Sequence, residues 1–353
     1  MSMSIDKIYY ELVRKIYEEG YTYEDPNRKG VMRKEITDYE IKWDLRKGFP
    51  IIGLKQTYPK MAFNEMKAFM SGITNLRDLE ALGVTFWRDD AFNYFKRKFP
   101  DSDVTLEEYV EGAKKGVCYT GPHFEWGDLG KIYSHHLRNW NGEFDQLDYI
   151  LQRLKDAPNA TKNVVTMWNP SDNSDCALSP CHWSFEFITK PLSLYEREEH
   201  FSMTSPKDDF DWYYNNVKES EKEEYFNEIG VPTHGLTVQW AQGSVDTFLG
   251  LPINIMYYSF VCYVFSVYLG MVPMGIVGKL SNVHLYDNSF KEVEELLSRD
   301  PESLKEPVLL NFTAPEEWST LDDYLSKLDY KKSVDIYGYN HLGRLDVKML
   351  AYS

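Results

Sequence analysis

From 247 to 278 the chain carries no charged side chain, and this run limits the possible folds more than any other feature. Its helical part, from Ile255 onward, is long enough to be scored as a membrane span. The residues argue for a buried core helix instead. Tyr257, Tyr258, Ser259, Tyr263, Ser266 and Tyr268 are many hydroxyls for lipid, and Gly270 followed by Pro273 marks a stop. With 353 residues, 43% hydrophobic and 15% aromatic, the chain can build a substantial core around such a helix, and disorder is excluded.

The rest of the chain reads as an α/β alternation in irregular order. Ile8, Leu12 and Ile16 share a helical face ending near Gly20; Phe63, Met66 and Met70 mark a helix ending at Gly72; Phe144, Leu147, Leu151 and Leu154 mark a third. Strands are expected over 163–167, where Trp183, Phe185 and Phe187 alternate with Ser184 and Glu186, over 236–240, and in the tail over 345–351. No repeat is present. The segment 191–231 stands apart, with eleven acidic against four basic residues and eight aromatics. It reads as a surface insertion holding one helix over 212–229, or as a lid or partner surface.

A net charge of −16 without a basic stripe argues against binding a nucleic acid polymer. The four cysteines, at 118, 176, 181 and 262, show neither metal spacing nor disulfide density, so no metal site is expected. The first ten residues lack a basic region followed by an apolar one. The expected location is therefore the cytoplasm, or a host's cytoplasm for a viral chain, away from membranes.

Two elements carry chemistry. Ser179-Pro180-Cys181-His182 places a thiol beside an imidazole where an alternating strand begins, and Leu249-Gly250-Leu251-Pro252-Ile253-Asn254 supplies a tight turn and a carboxamide. A thiolate added at carbon 6 of uracil leaves an enolate whose carbon 5 can attack a one-carbon electrophile, which makes Cys181 the candidate nucleophile. The Asn254 amide can accept from N3–H and donate to O4, the polarity of uracil rather than cytosine. Glu65 lies among Phe63, Met66 and Phe69; such surroundings raise a carboxyl's proton affinity and suit it to proton shuttling. His284 and Tyr286, two apart on a strand, share one face. A Cys181–His182 hydrolase is disfavoured, because neighbours on a strand point to opposite faces.

Many landmarks in one order make the chain resemble the thymidylate synthase family, including its pyrimidine hydroxymethylase branch, along nearly its whole length. They are Asp25-Pro26-Asn27-Arg28-Lys29-Gly30, Gly48-Phe49-Pro50, Asn64-Glu65 with Gly72-Ile73-Thr74-Asn75, Val84-Thr85-Phe86-Trp87 and Asp128-Leu129-Gly130-Lys131-Ile132-Tyr133. Met167-Trp168-Asn169, Pro180-Cys181-His182, the run from Asp246 to Asn254, His284-Leu285-Tyr286 and Gly338-Tyr339-Asn340 follow. The resemblance implies one domain over 1–353, with a mixed twisted sheet, helices on one face and a dimer partner on the other. It implies transfer of a one-carbon unit from 5,10-methylenetetrahydrofolate to carbon 5 of a uracil nucleotide. In that scheme Tyr133 helps remove the carbon 5 proton and His182 holds the O4 side through water. Asp246 bonds the pterin, Trp87 forms an aromatic wall, and Leu249, Gly250 and Ile253 complete the folate cavity.

The departures concern phosphate and product. The family grips phosphate with four arginines, two borrowed from the partner subunit. Here Arg28 remains, joined by Ser244; the borrowed positions fall on Thr161 and Lys162, and the arginine expected before Ser244 is Gly243. Losing that charge should raise the proton affinity of Cys181. Arg197 or Lys207 from 191–231 is the expected replacement, a substrate without a simple phosphate or an inactive chain being the other readings. Exclusion of water decides between a methyl and a hydroxymethyl product. Trp87 and the tail favour methyl, the Asp90 carboxylate stands where a more neutral residue is common, and hydroxymethyl stays open. A nucleotide-binding or interaction protein without catalysis is the rival from another class.

Overall fold

The computed structural model describes residues 3–26, 28–116, 119–120, 124–304, 306–348 and 350; Asn27, Cys118 and the end of the expected tail strand lie outside them. The uncharged run divides into a helix, Gly250–Leu269, and the start of a strand, Val272–Tyr286. Pro252 sits in the helix's first turn, where its missing N–H costs nothing, and Gly270 ends it at φ +66° in the left-handed region. The most apolar stretch is 78% buried, which makes it an interior helix. It packs on helix Pro59–Met70 on one side and on strands His234–Gln242 and Val272–Tyr286 on the other.

Among the described residues the main sheet has seven strands. Its order is Tyr21–Glu24, Met32–Asp44, Val272–Tyr286, His234–Gln242, His182–Pro191 and Val164–Thr166, and the short Val245–Asp246 also pairs with Val272–Tyr286. Neighbours are antiparallel except where His234–Gln242 and Val245–Asp246 meet Val272–Tyr286 in parallel. Parallel neighbours need a long crossover, and the uncharged helix is that crossover. The fold is thus mixed α/β. Phe185, Phe187, Leu236, Val238, Trp240 and Ile276 fill the covered face, whereas Thr237, Gln239, Met274 and Val277 on the other are half covered.

Two irregularities shape the site. A bulge between His182 and Ser184 bends the strand. Trp183 there lies exposed, while His182 turns toward the central helix and meets the Tyr258 hydroxyl at 3.0 Å. Trp240, wholly buried, stacks on Tyr258 at 4.8 Å between centroids and 9° between planes. Gly278 makes room for that indole.

Sequence expectations need four corrections here. Segment 191–231 holds three helices, Leu194–Thr204, Lys207–Asn216 and Lys222–Glu228, instead of one over 212–229. The chain is extended at Val217 and Lys218, and the aromatics fold the three pieces onto a cluster of Phe201, Tyr213 and Phe226. Phe144 precedes its expected helix, Gln146–Asp156, which Asp145 caps. No ladder forms over 345–348 or at Leu350; Leu345 and Val347 face a cleft instead of a sheet, which accounts for their apolar alternation. Arg197 is spent inside the 191–231 cluster, donating to Asn227 Oδ1 and Val231 O at 2.9 Å each.

A Cβ on residue 278 would come within 2.5 Å of Trp240 Cζ2. Gly278→Ala is therefore expected to cost about 1–3 kcal/mol through overpacking, read as a lower denaturant midpoint at unchanged slope.

Candidate functional site

A cleft of about 470 Å³ opens where the bulged strand, the start of the central helix and the helix Pro59–Met70 converge. Cys181, His182, Glu65, Tyr133 and Asn254 line it together. Arg28, Ser244, His284 and Tyr286 line it toward the 25–31 loop, and Trp87, Asp246, Leu249, Gly250 and Ile253 form another part of its wall. Lys162 is not in the cleft of its own chain; it sits exposed at φ +66° beyond helix Gln146–Asp156. Lys207, also exposed, and the buried Arg197 are not in it either, so the replacement cation expected from 191–231 is absent from this cleft.

The polarity of Asn254 is set by a one-way chain of hydrogen bonds. Indole Nε1 can only donate. Trp240 donates to Gln242 Oε1 at 3.3 Å, so Gln242 turns its Nε2 to Ser244 O at 2.9 Å. Asn254 must then offer Nδ2 to Gln242 Oε1, at 3.1 Å. Its Oδ1 is left for another donor. Gln242 was not singled out from sequence, although its place just before Gly243-Ser244 could have marked it.

Cys181 is half-buried at the head of its strand. Its N–H donates to Tyr133 Oη at 2.8 Å, which leaves the tyrosine's own proton free to point at the sulfur or at a ligand. Burial raises the thiol's pKa; the Tyr133 hydrogen bond opposes the rise, Asp90 adds to it and Arg28 opposes it. Gly243 does nothing to offset this, and a side chain there would fit, since its Cβ would meet only Trp183 Cδ1 at 3.6 Å and Cys181 O at 4.0 Å. Desolvation lowers His182 to about 4, against a hydrogen bond to Asn254 that favours the charged ring, so the ring is neutral.

Glu65 lies on the buried face of Pro59–Met70. Desolvation pushes its carboxyl up to about 7, and the Trp87 Nε1 hydrogen bond at 3.1 Å restrains the rise. His284 has Nδ1 2.7 Å from Asn282 O, which fixes the proton on Nδ1 and leaves Nε2 as an acceptor. Tyr286, 4.7 Å away between ring centroids, takes a bond from Arg28 Nη1 at 2.9 Å. Sequence reasoning missed Lys55. Buried in the cleft wall, it donates to Phe248 O at 2.5 Å, and desolvation lowers it to about 8.

A half-buried thiol, neutral imidazole, oriented carboxamide and high-pKa carboxyl in one apolar-walled cleft are the groups that nucleophilic addition to a polar heterocycle calls for. The thymidylate synthase family model matches residues 7–351. The chain is also similar to the thymidylate synthase of Enterobacteria phage T4, 28% identical over 310 residues, which are 86% of this chain and 84% of that one. To that of Mesoplasma florum it is 28% identical over 296 residues, 84% of this chain and 86% of the other; to that of Mycoplasma genitalium, 27% over 273 residues, 77% and 79%. The chain belongs to the thymidylate synthase family, whose reaction in general transfers a one-carbon unit to carbon 5 of a pyrimidine nucleotide.

The raised Glu65 pKa links stability to pH. Folded Glu65 stays protonated up to about 7, whereas the unfolded carboxyl ionises near the ordinary 4.5, so stability falls as pH rises through this window. The loss is about 3 kcal/mol. Glu65→Gln is expected to remove that fall, giving a flatter curve of unfolding free energy between pH 5 and pH 8 in urea titrations.

Proposed function

We propose that this protein methylates carbon 5 of deoxyuridylate through a covalent bond between Cys181 Sγ and carbon 6. The observation that carries the reading is the fixed polarity of Asn254 beside the Cys181 thiol. Its Oδ1 accepts uracil N3–H, and the remaining Nδ2 hydrogen donates to O4. Cytosine reverses both needs. Neutral His182 holds the O4 side through water, and Glu65, with a pKa of about 7, exchanges a proton with the base at working pH. Tyr133 remains protonated, because burial holds its pKa well above 10; it acts as a hydroxyl relay for the carbon 5 proton. His284 Nε2 and Tyr286 Oη take the ribose 3′-hydroxyl.

The family uses methylenetetrahydrofolate in general, and the cleft fits it. Gly250 leaves the wall open, a Cβ there meeting nothing nearer than Asp246 Cβ at 3.7 Å. Asp246 Oδ1 accepts Phe248 and Leu249 N–H at 3.0 Å each, which holds the carboxylate at the wall to receive pterin N–H groups. Trp87, Leu249 and Ile253 supply flat apolar contact. When bound, the folate supplies the one-carbon unit and, for a methyl product, a hydride.

Closure supports methyl. Leu350 O accepts from Arg28 Nη2 at 3.4 Å and Lys348 O from Asn288 Nδ2 at 2.8 Å, so the tail crosses the cleft and sheds water from it. A hydroxymethyl product is the second reading, favoured by the exposed Arg344–Asp346 ion pair that keeps a hydrated charge at the rim. Phosphate falls to Arg28 and Ser244, with Lys162 arriving from a second copy of the chain docked on the half-covered sheet face. That arrangement makes the working form a homodimer, in keeping with a cytoplasmic enzyme.

Mass spectrometry of products from deoxyuridylate and deoxycytidylate with methylenetetrahydrofolate tests this directly. The expected product is 5-methyl deoxyuridylate alone. Cys181→Ser should abolish it, and Asn254→Asp should shift preference toward the cytosine nucleotide by at least tenfold in kcat/KM. Product formation that survives Cys181→Ser would overturn the covalent route.

A further inference from the structure

Helix Arg88–Lys98 lies along the segment that leads into Cys181. Asp90, Tyr94, Arg97 and Lys98 fall at i, i+4, i+7 and i+8, a single stripe of the helix. The last three of these are tied to that segment. Tyr94 Oη donates to Asp175 Oδ1 at 2.9 Å, Lys98 Nζ reaches the same oxygen at 2.8 Å, and Arg97 Nη2 donates to Cys176 O at 2.6 Å. The remaining member of the stripe, Asp90, lines the cleft with Cys181. The helix is thus tied to the segment that leads into Cys181, and its stripe ends in a carboxylate that lines the same cleft as the thiol.

The thiol needs such a group. Its neighbours are Tyr133, whose hydroxyl stays protonated, neutral His182, Arg28, which cannot accept a proton, and Asp246, whose Oδ1 is held by backbone N–H groups. Glu65 takes the Trp87 N–H at Oε1 and, in the reading above, exchanges its proton with the base instead of with the sulfur. Among the carboxylates of the cleft, Asp90 bears most strongly on the sulfur. Burial, then Asp89, raises the Asp90 carboxyl to about 6, while Arg28 and Arg97 pull it down; it is an ionised base at neutral pH with an affinity suited to taking a proton and giving it back.

We propose that Asp90 is the base that takes the Cys181 proton as the sulfur adds to the pyrimidine, an inference that rests on the covalent uracil reading above. The Sγ–H bond breaks and its proton passes to Asp90 Oδ; the Sγ lone pair forms the bond to carbon 6, and the C5=C6 pair moves toward O4. On release the Sγ–C6 bond breaks and the same proton returns to sulfur. The thiol therefore rests neutral and is activated only during addition.

Asp90→Asn and Asp90→Ser separate this role from simple repulsion of a thiolate. In steady-state turnover of deoxyuridylate both variants are expected to lose about 10²–10⁴-fold in kcat with KM within a few-fold, and Asp90→Glu to recover much of the loss. In the unliganded protein, the pH profile of iodoacetamide alkylation at Cys181 should move to lower pH in both, since a repelling charge is gone. A kcat within threefold of the unaltered chain, or an unshifted alkylation profile, overturns the proposal. If the unaltered chain yields no carbon 5 product, the uracil reading fails by itself, and the alkylation profile still decides whether Asp90 faces the thiol.

Discussion

Burial of the uncharged helix between sheet and helix organises everything else in the molecule. Over most of Gly250–Leu269 a charge would face protein, and none is present. Because the helix packs between sheet and helix, its first turns are held against both. Asn254 therefore meets Gln242, and Tyr258 meets both His182 and the Trp240 ring. The same helix presses on Pro59–Met70, the bearer of Glu65. His182, Asn254 and Glu65 are thus held against one helix.

Several polar groups of the cleft are held neutral. Desolvation keeps Cys181, Tyr133 and His182 in their uncharged forms and holds Glu65 poised near neutrality. Direction is supplied by hydrogen bonds that can run only one way, from the donor-only indole of Trp240 outward.

Sequence patterns made much of this legible, for physical reasons that also explain the failures. The core helix could be found because full burial imposes a composition, and the strands around Phe185 and Leu236 because half-burial imposes alternation. Motif residues scattered from Glu65 to Tyr286 converge on one cleft as expected. Lys55 was invisible because nothing in its local pattern distinguishes a wall residue from an exposed one, whereas Gln242 was passed over although it directly precedes Gly243-Ser244. Around Leu345 and Val347 the tail misled because a chain facing a cleft alternates as a strand does. In 191–231 the aromatic spacing of three short helices folded together passed for that of one.

The 191–231 segment leaves and re-enters the sheet at one point, for Pro191 pairs with His234 and Leu192 N–H bonds Thr233 O. In topological terms it is the loop of a β-hairpin, however much structure it contains. Closing a loop costs only about 0.6 kcal/mol for each doubling of its length, so the ladder beneath is nearly indifferent to what hangs from its end. The helical cluster, with Arg197 satisfied inside it, is free to change in size or surface without moving the bulge, the helix or the thiol. It is a module whose history can run independently of the catalytic body that carries it.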